Sequence, residues 1–383
     1  MAKRRILVTL ESRATYGYSK NVMLAMRTFP ELEPVTLVTG MHLVPELGNS
    51  IELIRNDGFP INATVPMHAS DQGRSAWPSA LGQAIAGYAK AYENLSPDIV
   101  LLSGDRIETF GCCVAAVYMG LPVAHIQAGD KSGHIDDAAR YAIGKLAHVH
   151  FASCEDSANR LRRMGEQEFR LFNVGAPQLD NIIGRDYRTE SLTIAGRTMD
   201  LRQRYILLVQ HSVLAEASEA AEQMQATIEA CLESGLPVYW IYPNSDLGYG
   251  EILRVLERHR KSGKINVLEN VERDAYLMML ANSAVLVGNS SSGILEAPSF
   301  KMPVVNIGNR QRGRPQAANI INCGYAKNDI AHAIQHALTD EKFRTACKSA
   351  VNPYGDGRSG ERICRVLQDV IIDKNLLDKE CTY

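Results

Sequence analysis

The chain has 383 residues, of which 45% are hydrophobic and 22% charged, the balance of a globular enzyme with about two domains of roughly 150–200 residues. A formal net charge of -2 excludes the basic footprint of a nucleic-acid-binding domain, and no apolar run approaches the ~18–20 residues that cross a bilayer. Lys3, Arg4 and Arg5 precede an apolar stretch that ends before Glu11, too short for a secretion signal, so a cytoplasmic location is expected. The eight cysteines contain no C-x-x-C pair, and they are expected to be reduced packing residues, with no metal and no cofactor.

In chain order, short β-branched runs alternate with helical patterns. Strands are predicted at residues 5–10, 35–39, 99–103, 123–126, 148–152 and 170–174, then at 205–209, 238–242, 265–268, 284–287 and 304–307. Helices are predicted at 20–27, 79–92, 109–119, 137–146, 155–164, 215–233, 251–260 and 273–280. This alternation implies α/β domains with parallel sheets, and continuous apolar strands fit sheets covered on both faces. Two such arrays predict domains at 1–178 and 179–359, separated by a break around 175–183. The segment 184–203 is polar and weakly periodic, and a helix from 360 is expected to cross back to the first domain by analogy with such folds.

Ligands of open α/β sheets bind at the carboxyl ends of strands. Gly104-Asp105-Arg106 follows a strand directly. Asp105 there is either a site acid or a helix cap, and Arg106 either meets a phosphate or pairs with it at the surface. His125-Ile126-Gln127-Ala128-Gly129-Asp130 ends the next strand, followed by Ser132-Gly133-His134-Ile135-Asp136-Asp137. His125 is read as a site residue, and His148 and His150 as structural. One of Asp136 and Asp137 suits a helix start, and an ion pair within that helix would account for Arg140.

In the second half, Gln210-His211 ends a strand, where the imidazole can donate to a phosphate, and Pro243-Asn244-Ser245-Asp246 ends the next, where it is either a site or a turn. Gly288-Asn289-Ser290-Ser291-Ser292-Gly293 follows a strand and opens a helix predicted near Ile294, a candidate anion site. Glu296 lies where it could accept ribose hydroxyls, and Arg310, Arg312 and Arg314 add positive charge. The loop has neither the Lys of a Walker A motif nor the G-x-G-x-x-G of a dinucleotide site. A nucleotide diphosphate held by the second domain, with its attached group facing acids of the first, is the layout of a nucleotide-sugar enzyme.

These motifs, with Ser12-Arg13-Ala14, Tyr16, Gly40-Met41-His42-Leu43, Asn306, Arg310-Gln311 and Tyr354-Gly355-Asp356-Gly357, make the chain resemble the hydrolysing UDP-N-acetylglucosamine 2-epimerases over nearly its whole length. The resemblance implies two Rossmann-like domains of glycosyltransferase-B type with the active site in the interdomain cleft. It implies conversion of UDP-N-acetylglucosamine to UDP and N-acetylmannosamine through a 2-acetamidoglucal, for sialic-type acid biosynthesis. Asp105 and Asp136 would be the catalytic carboxylates, their split between base and acid left open, and His211 would assist the diphosphate. Arg13, Ser290, Ser291, Glu296 and Arg310 would bind UDP, and Val271 would meet the uracil through its backbone. His42, Arg106, His125, Asn244 and Asp246 would complete the substrate site. The partners implied are a UDP-sugar and further copies of the chain, as a homodimer or homotetramer, with no nucleic acid and no membrane.

Two departures stand out. The family's His-Ile-Glu-Gly-Gly-Glu is here His125-Ile126-Gln127-Ala128-Gly129-Asp130, and the missing Glu is a family catalytic carboxylate. Gln127 cannot shuttle a proton at neutral pH, so either Asp130 or Asp136 takes that role or Gln127 only orients substrate, in a variant acting on another sugar such as UDP-N,N′-diacetylbacillosamine. Arg140-Tyr141 replaces the usual Arg-His. A glycosyltransferase of the same fold and a non-catalytic sugar-nucleotide sensor are the competing readings.

Overall fold

The computed structural model describes residues 3–44, 50–68, 75–131, 136–194, 196–243, 248–261, 263–269 and 271–382, with the backbone alone at Asp136 and Leu214. Tertiary contacts divide the chain into two units, residues 1–183 with 354–383, and residues 184–353.

The first unit is built on β1 (Arg4–Leu10), β2 (Leu32–Thr39), β3 (Ala63–Val65), β4 (Ile99–Ser103), β5 (Val123–Ile126), β6 (Val149–Ala152) and β7 (Leu171–Asn173). Its helices are α1 (Arg13–Met26), α2 (Ile51–Asn56), α3 (Ala76–Leu95), α4 (Ile107–Tyr118), α5 (Asp136–Leu146) and α6 (Glu155–Arg163). The seven strands pair in parallel in the order β3-β2-β1-β4-β5-β6-β7. Alternation of side chains splits each strand between two cores. Ile6, Val8 and Leu10 pack with Val22, Met23 and Met26 of α1, whereas Leu7 packs with Tyr88 and Tyr92 of α3 and Cys112 of α4. The cysteines Cys112 and Cys113 are fully buried packing residues.

Helix α1 begins at Arg13, earlier than the periodicity from Lys20 indicates, because Ser12 and Thr15 close a reciprocal capping box. The chain returns to this unit at Tyr354, so residues 179–183 and 354–359 pack with the first unit and not with the second as expected. The cause is local: the Ala176 amide donates to the Tyr354 carbonyl at 2.7 Å, and the Asp180 carboxylate accepts from the Ser359 and Gly360 amides.

The second unit holds β8 (Ser191–Ile194) and β9 (Arg197–Asp200), an antiparallel hairpin inside the segment whose polarity hid it. Its main sheet comprises β10 (Ile206–Val209), β11 (Val238–Ile241), β12 (Asn266–Leu268), β13 (Val285–Gly288), β14 (Val304–Ile307) and β15 (Ile320–Cys323). These pair in parallel in the order β12-β11-β10-β13-β14-β15. The helices are α7 (Ala220–Glu233), α8 (Tyr249–Lys261), α9 (Arg273–Asn282), α10 (Ser292–Leu295), α11 (Lys327–Thr339) and α12 (Glu341–Ser349). Two more, α13 (Ser359–Asp369) and α14 (Lys374–Leu377), belong to the first unit. Helix α13 packs Ile363, Cys364 and Leu367 into the α1 core, and Arg4 donates to the Leu367, Gln368 and Val370 carbonyls at its end. Among the described residues, no helix is long and apolar enough to cross a membrane.

One glycine is dictated by strand packing. Gly288 has φ +128°, and a Cβ there would stand 2.1 Å from the Val209 carbonyl oxygen of the neighbouring strand. Gly288→Ala is therefore expected to lower stability by about 3 kcal/mol. Urea denaturation checks this, and an unchanged midpoint would contradict so close an approach of β10 and β13.

Candidate active site

In each main sheet the strand order reverses once, between β1 and β4 in the first and between β10 and β13 in the second. Right-handed crossovers running in opposite directions leave a crevice beyond the carboxyl ends of such strands. Glu11-Ser12-Arg13 follows β1 and Gly104-Asp105-Arg106 follows β4, while Gln210-His211 follows β10 and the Gly288–Ser291 turn ends β13. Both groups of motifs therefore occupy the reversal point of their own sheet.

In the first unit the centre is an ion pair between buried Arg140 and half-buried Asp105. Arg140 Nη1 also donates to the Gln127 carbonyl at 2.9 Å, so one guanidinium ties α5 to the ends of β4 and β5. Beyond the helix α5 in which a pair was expected, Arg140 reaches across to Asp105, because its side chain is buried; the Asp137 charge on its own helix also acts on it, and the Asp136 side chain lies outside the description. His125 is fully buried, and its Nε2–H donates to the Gly104 carbonyl at 2.7 Å. It supports the turn that carries Asp105. Burial, aided by the Arg140 charge, lowers its pKa to about 3, so the ring is neutral.

Gln127 sits in the left-handed region at φ +61°, a conformation a side chain adopts at a cost of order 1 kcal/mol. Its Oε1 lies 3.8 Å from where a Cβ on Gly104 would stand. Asp130 has both oxygens engaged, accepting from Ser153 Oγ at 2.9 Å and Ser157 Oγ at 2.7 Å, which anchors the start of α6. Asp136 opens α5, and its side chain lies outside the description. Arg13 is exposed on the first turn of α1, and Arg106 makes a two-pronged pair with Glu108 at 3.1 and 3.2 Å. His42 is buried in the turn after β2, with Nδ1 2.8 Å from Ser50 Oγ and no partner for Nε2 among the described residues. Burial lowers its pKa to about 4.

In the second unit Asn289 braces the reversal point. Its Oδ1 accepts from the His211 amide and its Nδ2 donates to the His211 carbonyl, both at 2.8 Å. The Asn289 carbonyl accepts from Arg310 Nη1 at 3.2 Å and Gln311 Nε2 at 2.9 Å. His211 is thus fixed by its backbone, and burial, with Arg310 nearby, lowers its pKa to about 3. The helix expected after the serine loop is corrected to the single turn of α10, followed by a 3-10 turn at Ala297–Phe300. Pro298, which lacks an N–H and whose ring clashes with the carbonyl four residues back, prevents a longer helix. Ser290 Oγ lies 3.2 Å from Ser292 Oγ, which also contacts the Tyr276 hydroxyl. Glu296 is buried, pairs with Arg273, and leaves Oε2 without a partner among the described residues. Val271 is half-buried beyond β12, and Asn244 and Asp246 lie outside the described residues.

Sequence reading missed Glu11, Arg273 and Tyr276, and treated Asn289 only as part of a loop. The signal available for Glu11 was a carboxylate directly after an apolar strand. For the others it is tertiary.

Two stability predictions follow from this geometry. Arg140→Leu removes the pair with half-buried Asp105 and the hydrogen bond to Gln127, so it should cost about 1–3 kcal/mol in chemical denaturation, while Asp130→Asn should cost about 1 kcal/mol. The second concerns pH. An unfolded histidine takes its proton near pH ~6.5, whereas His125 does so only at about 3. Between those values the unfolded chain binds the extra proton, so stability falls as pH drops through that window. His125→Gln should flatten that slope of urea midpoint against pH, and an unaltered slope would contradict it.

Residues 24–368 match the family model described as UDP-N-acetylglucosamine 2-epimerase. The chain is 34% identical to the UDP-N,N′-diacetylbacillosamine 2-epimerase (hydrolyzing) of Legionella pneumophila, over 99% of this chain and 100% of that protein. It is 30% identical to the UDP-N-acetylglucosamine 2-epimerase of Neisseria meningitidis serogroup B, over 96% and 95% of the two chains. Its fold is similar to the crystal structure of UDP-GlcNAc 2-epimerase from Neisseria meningitidis bound to UDP-GlcNAc, with a TM-score of 0.78 at 17% identity, covering 95% of this chain and 99% of that one. The expected glycosyltransferase-B class of fold agrees with this likeness. This chain belongs to the UDP-N-acetylglucosamine 2-epimerase family.

Proposed function

We propose that the protein is a hydrolysing 2-epimerase that takes a UDP-linked 2-acetamido sugar and water to UDP and the free C2 epimer. The observation that carries this reading is the Asp105–Arg140 pair at the reversal point of the first sheet, in a chain similar over its whole length to hydrolysing relatives. The C2 proton of such a sugar is not acidic by itself. Departure of UDP with the C1–O electron pair builds positive charge at C1 and acidifies it. A carboxylate then removes the proton and leaves a 2-acetamidoglucal. Addition of hydroxide to C1 and of a proton to C2, from the opposite face, completes the epimerisation. Asp105 and Asp136 are the carboxylates of this reading, and the division of base and acid between them stays open. Arg140 orients Asp105, and His125 supports its turn through Gly104.

His211, as a neutral ring with a fixed backbone, donates to the diphosphate. Arg13, Arg106 and Arg310 supply its countercharge, and Ser290 and Ser291 add donors. The unpartnered Glu296 oxygen accepts from ribose, Val271 meets the uracil, and His42, Asn244 and Asp246 line the substrate. Asp130 has its oxygens taken by Ser153 and Ser157, so in this reading Gln127 orients the sugar and Asp136 is the second carboxylate.

The sequence expectation is UDP-N-acetylglucosamine, giving N-acetylmannosamine for sialic-type acids. The similarity to the Legionella pneumophila relative favours UDP-N,N′-diacetylbacillosamine as the second reading. Incubation with either sugar nucleotide in heavy water decides between them. The expected result is UDP release with solvent deuterium at C2 of the epimerised sugar. Retention of the C2 hydrogen, or transfer of the sugar to an acceptor, would overturn the reading. Asp105→Asn should lower kcat by about 100-fold or more.

A further inference from the structure

Helix α5 carries Arg140 in its second turn, and it is 11 residues long with Gly144 near its end. A helix of that length and composition is marginal by itself, so its pose is set by what packs on it. Ile143 enters the core shared with α3 and α4. The carboxyl end of α5 is gripped from a distant part of the chain. Lys379 Nζ donates to the Gly144, Lys145 and Ala147 carbonyls at 3.0, 2.9 and 2.7 Å. A helix end leaves such carbonyls without intrahelical partners, and a cation there complements the helix dipole.

The Lys379 side chain is 16% exposed, and its charge is met by Glu166, 1% exposed, with Oε2 at 2.6 Å. The same oxygen lies 3.0 Å from His150 Nε2 on β6, and Lys145 of α5 reaches Oε1 at 3.0 Å. Arg170 seats the segment that carries Lys379. Fully buried, it donates to the Leu376, Asn375 and Asp378 carbonyls at 2.6, 2.9 and 3.1 Å. The Leu376 side chain enters the α1 core, and the Thr382 amide donates to the Gly165 carbonyl at 3.1 Å. This cluster lies at the amino end of β6, because α5 runs back from the carboxyl ends of the strands before β6 begins. The candidate site is at the other end of α5, about 15 Å away. Lys379 is thus remote from the site and bears on it only through the helix.

We propose that Lys379 is a positioning residue for the reaction: by capping α5 at its carboxyl end it fixes where the helix stands, and with it the direction in which Arg140 holds Asp105. Arg140 lies one turn before Gly144, the first carbonyl that Lys379 grips. Without the cation, three carbonyls lose their shared donor and Glu166 loses an ion partner. The last turn then loosens, α5 gains freedom to shift, and the guanidinium loses its aim. Proton transfer is sensitive to displacements far smaller than those that unfold a domain. The residues read as diphosphate contacts stand on other elements, so substrate affinity is spared. This rests on the reading of Asp105 as a catalytic carboxylate.

The test is kcat and KM for the wild type, Lys379→Met and Lys379→Arg, with thermal unfolding to confirm that each folds. Lys379→Gln replaces the Met variant if that one does not fold. Loss of the cation should lower kcat about tenfold with KM unchanged, and Lys379→Arg, which keeps charge and several donors, should restore most of it. Combined with Arg140→Lys, which already spoils the aim, the two losses should not multiply. A folded Lys379→Met enzyme with wild-type kcat, a loss that lies in KM, or losses that multiply overturn the proposal. A second measurement is independent of turnover: amide hydrogen exchange followed by mass spectrometry. Peptides covering α5 should exchange about tenfold faster in Lys379→Met, while those of α11 in the second unit keep their protection. Unchanged protection of α5 overturns the proposal whatever the activity. Faster exchange of α5 in a protein that turns over no sugar nucleotide supports the cap and places the failure in the functional reading.

Discussion

The Asp105–Arg140 ion pair is the interaction on which the first unit's site depends. Taking a carboxylate and a guanidinium out of water is costly, and the cost is met only where geometry and further hydrogen bonds compensate. Here the compensation comes from three elements at once. Arg140 on α5 reaches the ends of both β4 and β5, and His125 holds the Gly104 carbonyl at the entrance to the same turn. The result is a carboxylate whose direction is set by its neighbours, as the proton transfer proposed for it requires.

Under the proposed function, the second unit meets the matching problem for a diphosphate in another way. Its short α10 supplies little of a helix dipole. The turn is instead stiffened by Asn289, which locks the His211 backbone across the sheet reversal and is itself held by Arg310 and Gln311. Gly288 makes this possible, since only a residue without Cβ lets β13 approach Val209 so closely. Donors pre-aimed in this manner stabilise a departing anion without reorganisation.

Buried titratable groups recur around both reversal points. His42, His125 and His211 are kept neutral by burial, whereas Glu11 is kept protonated. The charges that remain include the Asp105–Arg140 and Arg106–Glu108 pairs in the first unit and Arg310 with the Arg273–Glu296 pair in the second.

Alternating apolar strands and helices sufficed to place the parallel sheets, because a strand buried on both faces must be apolar throughout. The same patterning placed the Gly104–Arg106 and Gly288–Ser291 motifs at strand ends, where sheets of this class bind ligands. It was silent on β3, β15 and the β8–β9 hairpin, which are short or half polar. It also assigned Arg140 to its own helix, since spacing along the chain reports only local neighbours. Pairing of Arg140 with Asp105, the grip of Asp130 on Ser153 and Ser157, and the burial of Glu11 against Thr109 were decided by tertiary structure alone. The reason is physical: burial and partner choice for a charge depend on which distant segments the sheet order brings together.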